Sequence, residues 1–156
     1  MADTAPSTPT ACLALADGTI FYGMGFGATG RCVAELCFNT AMTGYQEIMT
    51  DPSYAGQIVT FTFPHIGNTG VTPEDDETAD PVAAGMVVKW DPTLASNWRA
   101  TEELKAWLTR TGRIAIGGID TRRLTRAIRQ QGRSEGRRGG KAGRARWAVV
   151  HVSEKF

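Results

Sequence analysis

Residues 38–70 read FNTAMTGYQEIMTDPSYAGQIVTFTFPHIGNTG, and this stretch decides the fold. Its second half holds QIVTFTF at 57–63, where β-branched and aromatic side chains predict a strand that Pro64 ends. Its first half has apolar side chains at helical spacing, which predict one turn of helix packed on a core: Tyr45, Ile48 and Met49. The stretch therefore predicts a short helix followed by a buried strand.

The turn between these two elements carries the first candidate functional residue. Asp51 precedes Pro52, and the residue before a proline disfavours helical backbone, so the helix is expected to end there. Ser53 and Tyr54 are then presented on a loop, where a rigid scaffold often carries recognition groups. On these residues alone, a serine in an Asp-Pro-Ser turn is more often a turn residue than a binding group.

Outside this stretch, turn residues and short apolar runs predict further strands. Residues 12–16 and 19–22 flank Asp17-Gly18, which predicts a hairpin with a type I′ turn. Residues 31–40 fit either a strand or a helix, and we favour the strand. Short strands are also predicted at 85–90 and 114–119.

Two helices are predicted in the second half of the chain. The first is capped by Thr101 and ends at Gly112, and the second is capped by Asp120 and ends at Gly132. The first has one apolar face, formed by Leu104, Trp107, Leu108 and Thr111. The second buries Leu124, Ala127, Ile128 and Gln131 and carries arginines on its other sides, at Arg122, Arg123, Arg126 and Arg129. Strands come first and helices later, which indicates an α/β domain with few helices.

One glycine motif resembles a nucleotide site in spelling. Gly25-Phe-Gly27-Ala-Thr-Gly30 matches the dinucleotide-binding fingerprint. That fingerprint works only where a strand leads into a helix at the glycines and an acidic residue follows about 20 positions later. Asp51 lies near that distance, but the segment after Gly30 begins with Arg31 and has no helix cap. We therefore interpret the glycines as a turn between two strands.

The cysteines and histidines give little support for a metal or a nucleophile. Cys32 and Cys37 are five residues apart, which on a strand puts their sulfur atoms on opposite faces. We predict no metal site and interpret these cysteines, with Cys12, as small buried apolar residues. His65 follows Pro64 at a strand end and could act as a base, although such a histidine more often hydrogen-bonds its loop.

Length and composition describe an ordinary globular protein. The chain has 156 residues, of which 42% are hydrophobic and 21% are charged, values that exclude a disordered or fibrous protein. No apolar run approaches the roughly 20 residues that span a bilayer, and residues 1–10 show no secretory signal. Three cysteines do not make a disulfide framework. We expect a cytoplasmic protein of one domain or slightly more, without a membrane partner.

Charge divides the chain into two parts. Residues 1–132 hold 10 basic and 14 acidic side chains, whereas residues 133–156 hold 7 basic and 2 acidic ones. The second part begins RSEGRRGGKAGRAR, which offers too little apolar surface to offset the entropy of folding. We predict a flexible leader at 1–10, a folded body at 11–132, and a basic, Gly/Arg-rich, disordered tail at 133–156.

Four segments of the body together resemble one family. They are DGTIFYGMGFGATG (17–30), ELCFNTAMTGYQEIMTDPSYAGQIVTFTFPHIGNTG (35–70), ASNWRATEELKAWL (95–108) and IGGIDTRRLTRAIRQQG (116–132). In this order they are similar to the N-terminal domain of the small subunit of glutamine-dependent carbamoyl-phosphate synthase. The combination of FNTxMTGYQE, TDPSY and FPHIGN is highly specific to that family.

The resemblance implies a fold, a set of partners and a binding residue. The fold is a swivelling β/β/α domain, here truncated at its C-terminal end. In this family the small subunit releases ammonia from L-glutamine and passes it through a tunnel to a large subunit. The large subunit uses ATP, magnesium and bicarbonate to make carbamoyl phosphate for arginine and pyrimidine synthesis, so no cofactor is expected in this chain. The serine of TDPSY contacts glutamine in the family, which makes Ser53 the expected substrate-binding residue.

The resemblance implies no catalytic residue in these 156 residues. The family's glutaminase domain carries a Cys-His-Glu triad, with the cysteine in a Gly-hydrophobic-Cys-hydrophobic-Gly elbow, and the sequence contains no such elbow. Acyl transfer from glutamine needs a nucleophile, a base and oxyanion donors together. We therefore expect a fragment that lacks the amidotransferase domain and has no glutaminase activity of its own. The similarity stops at Arg133, and the sequence beyond reads like a GC-rich gene in a shifted frame, so we expect a frameshift or a mis-assembled gene there.

Two other functions are open. The body could be a non-catalytic docking module for the large subunit, with the arginines of the second predicted helix supplying charge. The tail could bind nucleic acid through counterion release, with Trp147 stacking on a base. The tail contains a single Arg-Gly-Gly, at 138–140, whereas arginine- and glycine-rich segments that bind nucleic acid have many such repeats. We therefore do not favour a nucleic-acid partner.

Overall fold

A computed structural model describes residues 8–40, 44–62, 81–89, 103–136 and 147–153. It contains seven strands: β1 (Ala11–Leu15), β2 (Ile20–Gly27), β3 (Gly30–Asn39), β4 (Gln57–Phe61), β5 (Gly85–Val87), β6 (Ile114–Gly117) and β7 (Trp147–Val152). The helices are α1 (Tyr45–Thr50), α2 (Leu104–Arg110) and α3 (Thr121–Gly136), and a 3-10 turn spans Pro52–Tyr54. The predicted α/β class is confirmed, and residues 31–40 form the expected strand almost to the residue.

The strands close into a barrel in the order β1-β2-β6-β5-β4-β3-β7. β3, β4, β5 and β6 pair in parallel with one another, and the remaining neighbours are antiparallel. The carboxyl ends of β3, β4 and β5 therefore meet at one end of the barrel, next to the start of α3. Closure leaves no strand of the described barrel as an open edge.

The barrel interior is the main hydrophobic core. Alternate side chains of every strand point inward, and Leu13, Leu36, Ile58 and Ile116 are fully buried there. Leu124 and Ile128 of α3 belong to the same cluster, as the predicted apolar face of that helix requires. Burial of each such side chain contributes about 1.5–3 kcal/mol, so the interior cluster is a large source of stability.

A second core lies outside the barrel, between its wall and two helices. The predicted faces are confirmed: Tyr45 and Met49 of α1 and Trp107 and Leu108 of α2 are buried in this cluster. Their partners on the barrel wall are Phe26, Val59, Phe61, Met86 and Ala115. On the wall formed by β1, β7 and the first half of β3, most outward side chains of β1 and β7 are half-buried, and Val33 of β3 is 53% exposed.

The last strand corrects the predicted disorder for residues 147–152 of the tail. β7 pairs with β1 from Ala11–Val152 to Leu15–Ala148 and with β3 from Gly30–Val152 to Glu35–Trp147. Ala148, Val150 and Val152 are buried inside the barrel, which explains why WAVVHV forms a strand: its apolar residues alternate. The expected truncation at the C-terminal end does not leave the described sheet open, because β7 fills the gap between β1 and β3.

Two predicted helix boundaries are also wrong. Gly132 does not end the second helix, because α3 continues to Gly136. A glycine inside a helix costs only about 1 kcal/mol relative to alanine, and the arginine and glutamate that follow favour helix. The first helix begins at Leu104 with Glu103 at its N-cap position and no side-chain cap, whereas Thr101 lies outside the described residues. Its predicted end is confirmed, since Gly112 has a left-handed φ of 72°.

Of the two glycine-containing turns predicted from the sequence, one is confirmed and the other has a different type. The fingerprint-like glycines form the turn between β2 and β3, with no helix opening at them, so the turn interpretation is confirmed. The first hairpin forms, but its turn is not type I′. Only Gly18 has a positive φ, of 91°, and the Gly18 N–H donates to the Leu15 carbonyl at 3.0 Å. Those contacts are typical of a type I turn followed by a left-handed glycine bulge.

Candidate functional site

The turn that carries Ser53 has the exposed position predicted for it. α1 ends at Thr50, and the backbone of Asp51 after it is extended (φ −71°, ψ 121°) because Pro52 follows. The Asp51 carboxylate accepts a hydrogen bond from the Ser53 N–H at 2.9 Å. Ser53 itself is exposed, so its hydroxyl lies at the surface on a backbone held by its neighbour.

Two contacts tie this turn to the barrel. The Asn39 side-chain amide, at the end of β3, donates to the Tyr54 hydroxyl at 2.9 Å, and the Tyr54 ring packs against the outer core. On the other side, the Gly56 N–H donates to the Val82 carbonyl at 3.0 Å. A short turn with both ends fixed presents Ser53 in a defined orientation, which a substrate-contacting hydroxyl needs.

A cleft of about 520 Å³ opens on the other side of the β3 end. Its walls are the carboxyl ends of β3, β4 and β5 and the first turns of α3. Phe38, Thr40, Thr62 and Lys89 line it from the strands, and the α3 residues are Thr121, Arg122, Thr125, Arg126 and Arg129. Carboxyl ends of parallel strands are a common place for ligand sites. We call this feature the cationic cleft.

The four arginines of the second predicted helix do not share one face. Arg122, Arg126 and Arg129 line the cationic cleft, whereas the Arg123 guanidinium stacks over the Phe21 ring at 4.6 Å. Lys89 joins the cleft from the end of β5, and no sequence reasoning singled it out. The one available signal was local: Thr62 and Lys89 are polar residues that closely follow buried strands.

The three cysteines are half-buried rather than buried as predicted, whereas Cys32 and Cys37 lie on opposite faces of β3 as their spacing predicted. Cys32 packs against the barrel interior and lies 3.8 Å from the Ala84 carbonyl oxygen, whereas Cys37 packs against the outer core, 3.6 Å from the Ile58 carbonyl oxygen. Burial raises the pKa of the Cys32 thiol, and nearby Arg113 lowers it by a smaller amount. A raised thiol pKa disfavours a nucleophilic thiolate.

The other kinds of site considered from the sequence are a metal site, a histidine base, a nucleic-acid-binding segment and a membrane span. In the ranges that the structure describes, no group of three or more histidine, cysteine and acidic side chains is placed to hold a metal. His65 lies outside those ranges, as does the Arg-Gly-Gly at 138–140. Of the described helices, none is both long and apolar enough to cross a bilayer.

One apolar surface covers the exposed barrel wall. In one row across the sheet, Ile20 pairs with Ala14, Ala14 with Val149 and Val149 with Val33. In the next row Tyr22, which is 61% exposed, pairs with Cys12, Cys12 with His151 and His151 with Arg31. Trp147, which is 48% exposed, pairs with Glu35. We call this surface the outer apolar face. Contiguous exposed apolar residues of this kind mark contact surfaces more often than isolated ones do.

Comparison with known proteins identifies the family. The family model for the carbamoyl-phosphate synthase small chain, CPSase domain, matches residues 13–137, a range that contains the Ser53 turn and every described residue that lines the cationic cleft. The chain belongs to the carbamoyl-phosphate synthase small-chain family. The match ends five residues beyond the predicted boundary at Gly132.

Curated relatives of this family are close in sequence but much longer. The carbamoyl phosphate synthase small chain of Ruegeria pomeroyi is 86% identical over 132 residues, which cover 85% of this chain and 34% of that protein. The small chains of Thioalkalivibrio sulfidiphilus and Pseudomonas aeruginosa are 60% and 59% identical, over 81% and 83% of this chain and 33% and 34% of theirs. The chain therefore spans about a third of the length of these relatives.

A solved structure shows only a slight likeness. An aminopeptidase from Aneurinibacillus sp. strain AM-1 aligns with a TM-score of 0.46 at 15% identity, over 96% of this chain and 31% of that one. A likeness of this size supports no functional argument.

Proposed function

We propose that these residues act as the N-terminal domain of the small subunit of glutamine-hydrolysing carbamoyl-phosphate synthase, a cytoplasmic enzyme of arginine and pyrimidine synthesis. The domain would be of the swivelling β/β/α type. The observation that carries the proposal is the family match over residues 13–137, together with 86% identity to one small chain. The exposed Ser53 turn and the exposed barrel wall support it.

Ser53 is proposed to contact the glutamine substrate. Its support is geometric: the residue is exposed, and the turn is held by Asp51 on one side and by Asn39 through Tyr54 on the other. A hydroxyl can donate to and accept from the polar groups of an amino acid. Ser53 would thus form one wall of a pocket whose reactive groups belong to a glutaminase domain.

These 156 residues are proposed to have no glutaminase activity by themselves. Cys12, Cys32 and Cys37 all lie on barrel strands, and none stands in the glycine-flanked elbow of the family's nucleophile. For Cys32 the raised thiol pKa argues in the same direction. ATP and magnesium would act on the large subunit, and ammonia release by this chain alone is expected at the level of a blank.

The outer apolar face is proposed to dock on the large subunit. All four exposed large hydrophobic side chains of the described residues lie on it: Ile20, Tyr22, Val33 and Trp147. Interface centres are enriched in aromatic residues and arginine, and on this face Tyr22 shares a row with Arg31. A partner that covered them would remove from water a wall of the barrel on which, among the described helices, α1 and α2 do not pack.

A graft tests the role of Ser53. Residues 13–132 replace the matching segment of the Ruegeria pomeroyi small chain, and the graft is assembled with that organism's large subunit. We expect glutamine-dependent synthesis of carbamoyl phosphate, and we expect Ser53→Ala to raise the KM for glutamine about tenfold, the cost of one hydrogen bond to a charged substrate. Synthesis from added ammonia should not change, because ammonia bypasses the glutamine pocket.

The matched control is Thr29→Ala, which removes another exposed hydroxyl from the turn between β2 and β3. It should leave the KM for glutamine unchanged. A graft without glutamine-dependent activity, or a Ser53→Ala variant with the KM of Thr29→Ala, would contradict the proposal.

A further inference from the structure

The cationic cleft concentrates positive charge in a concave space. The cleft is lined by positive side chains from two parts of the chain, the segment after β5 and the first nine residues of α3: Lys89, Arg122, Arg126 and Arg129. None of the described residues that line it is acidic. Guanidinium groups that share a cleft repel one another, and a bound anion relieves that repulsion.

Hydrogen-bond donors for an anion in the cleft come from the positive side chains rather than from the N-terminus of α3. Asp120 already occupies the start of α3, since its carboxylate accepts from the Arg123 N–H at 3.0 Å. The hydroxyls of Thr62 and Thr125 donate to the carbonyls of Asn39 and Thr121. These bonds use the hydroxyl protons of both threonines, so recognition of an anion rests mainly on the guanidinium groups of Arg122 and Arg126.

One wall of the cleft is aromatic and positions a cation. The Arg129 guanidinium lies 5.3 Å from the centroid of the Phe38 ring, a cation–π contact that restricts the arginine. The volume of about 520 Å³ is within the range of small-molecule sites. The cleft therefore combines several cationic donors with an apolar surface beside them.

We infer that the cationic cleft binds a small phosphate ester, with Arg122 and Arg126 on the phosphoryl oxygens and Phe38 beside the organic group. A phosphate monoester carries close to two negative charges and three acceptor oxygens at neutral pH, which suits several converging cations better than a single carboxylate does. The site lies within this chain, so binding is expected whether or not the chain joins a synthase.

Calorimetric titration of the full 156-residue chain tests this at fixed ionic strength. The probes are inorganic phosphate, phenyl phosphate and citrate. We expect saturable binding of both phosphates, tighter binding of phenyl phosphate, and a roughly tenfold loss of affinity in Arg126→Gln, the usual effect of losing one charge-assisted hydrogen bond. Arg123→Gln is the matched control, because it removes the same charge from the same helix outside the cleft, and its affinity should stay within about twofold.

Several results would overturn the inference. Absence of saturable phosphate binding would do so, as would equal affinities in Arg126→Gln and Arg123→Gln. Tighter binding of citrate would identify a carboxylate site instead. Tighter binding of a single-stranded oligonucleotide, with a steep salt dependence, would identify a polymer-binding surface. Circular dichroism of each variant establishes that the exposed arginines were replaced without unfolding the barrel.

Discussion

The side-chain amide of Asn39 donates a hydrogen bond to the hydroxyl of Tyr54 across 2.9 Å. Asn39 is the last residue of β3, and Tyr54 is the last residue of the 3-10 turn that carries Ser53. The bond therefore joins the proposed substrate-contacting turn to the strand whose other side faces the cationic cleft. Both candidate sites depend on the position of one strand end.

Tyr54→Phe should loosen the Ser53 turn without unfolding the barrel. The ring remains in the outer core, and only the bond to Asn39 is lost, at a cost of about 0.5–1.5 kcal/mol. Faster hydrogen exchange is expected at the Tyr54 and Ala55 amides, which donate to Asp51 and Pro52. Tyr22→Phe removes an exposed hydroxyl elsewhere and serves as the control. Equal exchange at these amides in both variants would contradict the role of the Asn39 bond.

Gly25→Ala should destabilise the barrel for a steric reason. A Cβ at this position would overlap the Val152 side chain of β7 across the interior. Overpacking of this kind costs about 1–3 kcal/mol, measured as the free energy of unfolding in urea. Val152→Ala should restore part of the loss in the double variant, because it removes the overlapping methyl groups. Strictly additive effects would show that the two positions do not meet.

The burial of β7 can be tested with two neighbouring valines. Val150 is buried inside the barrel, whereas Val149 lies on its outer face. Val150→Asp should abolish the cooperative unfolding transition, because an unpaired charge in an apolar interior costs several kcal/mol. Val149→Asp should retain that transition. Similar stability of the two variants would return residues 147–152 to the disorder that composition predicted.

The Cys32 thiol makes stability depend on pH in the alkaline range. Burial raises its pKa above the ordinary value of 9.0, so the folded chain keeps the proton after the unfolded chain has begun to lose it. Its stabilising contribution is present in full below pH 9 and is lost as the pH rises through the folded-state pKa. The free energy of unfolding should therefore fall more steeply above pH 9 in the native chain than in Cys32→Ala. Parallel curves would contradict this assignment.

Local signals were sufficient for much of the fold. The alternation and β-branching of residues 57–61, the helical spacing of Tyr45 and Met49, and the glycine turn between β2 and β3 each depend on neighbours in sequence. The structure confirms all three. The exposed position of Ser53 follows in the same way from the Asp51-Pro52 pair. Its contact with glutamine remains a prediction.

What could not be predicted depends on distant partners. WAVVHV alternates clearly, but it follows a basic, glycine-rich segment, and its assignment as a strand requires β1 and β3 on either side. The cationic cleft likewise depends on residues that are distant in sequence. Thr40, Thr62 and Lys89 come from three separate segments and meet only because β3, β4 and β5 pair in parallel. The end of α3 was predicted wrongly at Gly132 because a single glycine lowers helix stability by only a small amount.

Binding to a large subunit tests the central claim most directly. The full chain is titrated against the carbamoyl phosphate synthase large subunit of Ruegeria pomeroyi, and the complex is followed by size-exclusion chromatography with light scattering. We expect a complex of one chain with one large subunit, weakened more than tenfold by Tyr22→Ser, as for an aromatic residue at an interface centre. Thr29→Ala should bind as the native chain does. Absence of a complex at micromolar concentrations of a folded chain would contradict the account.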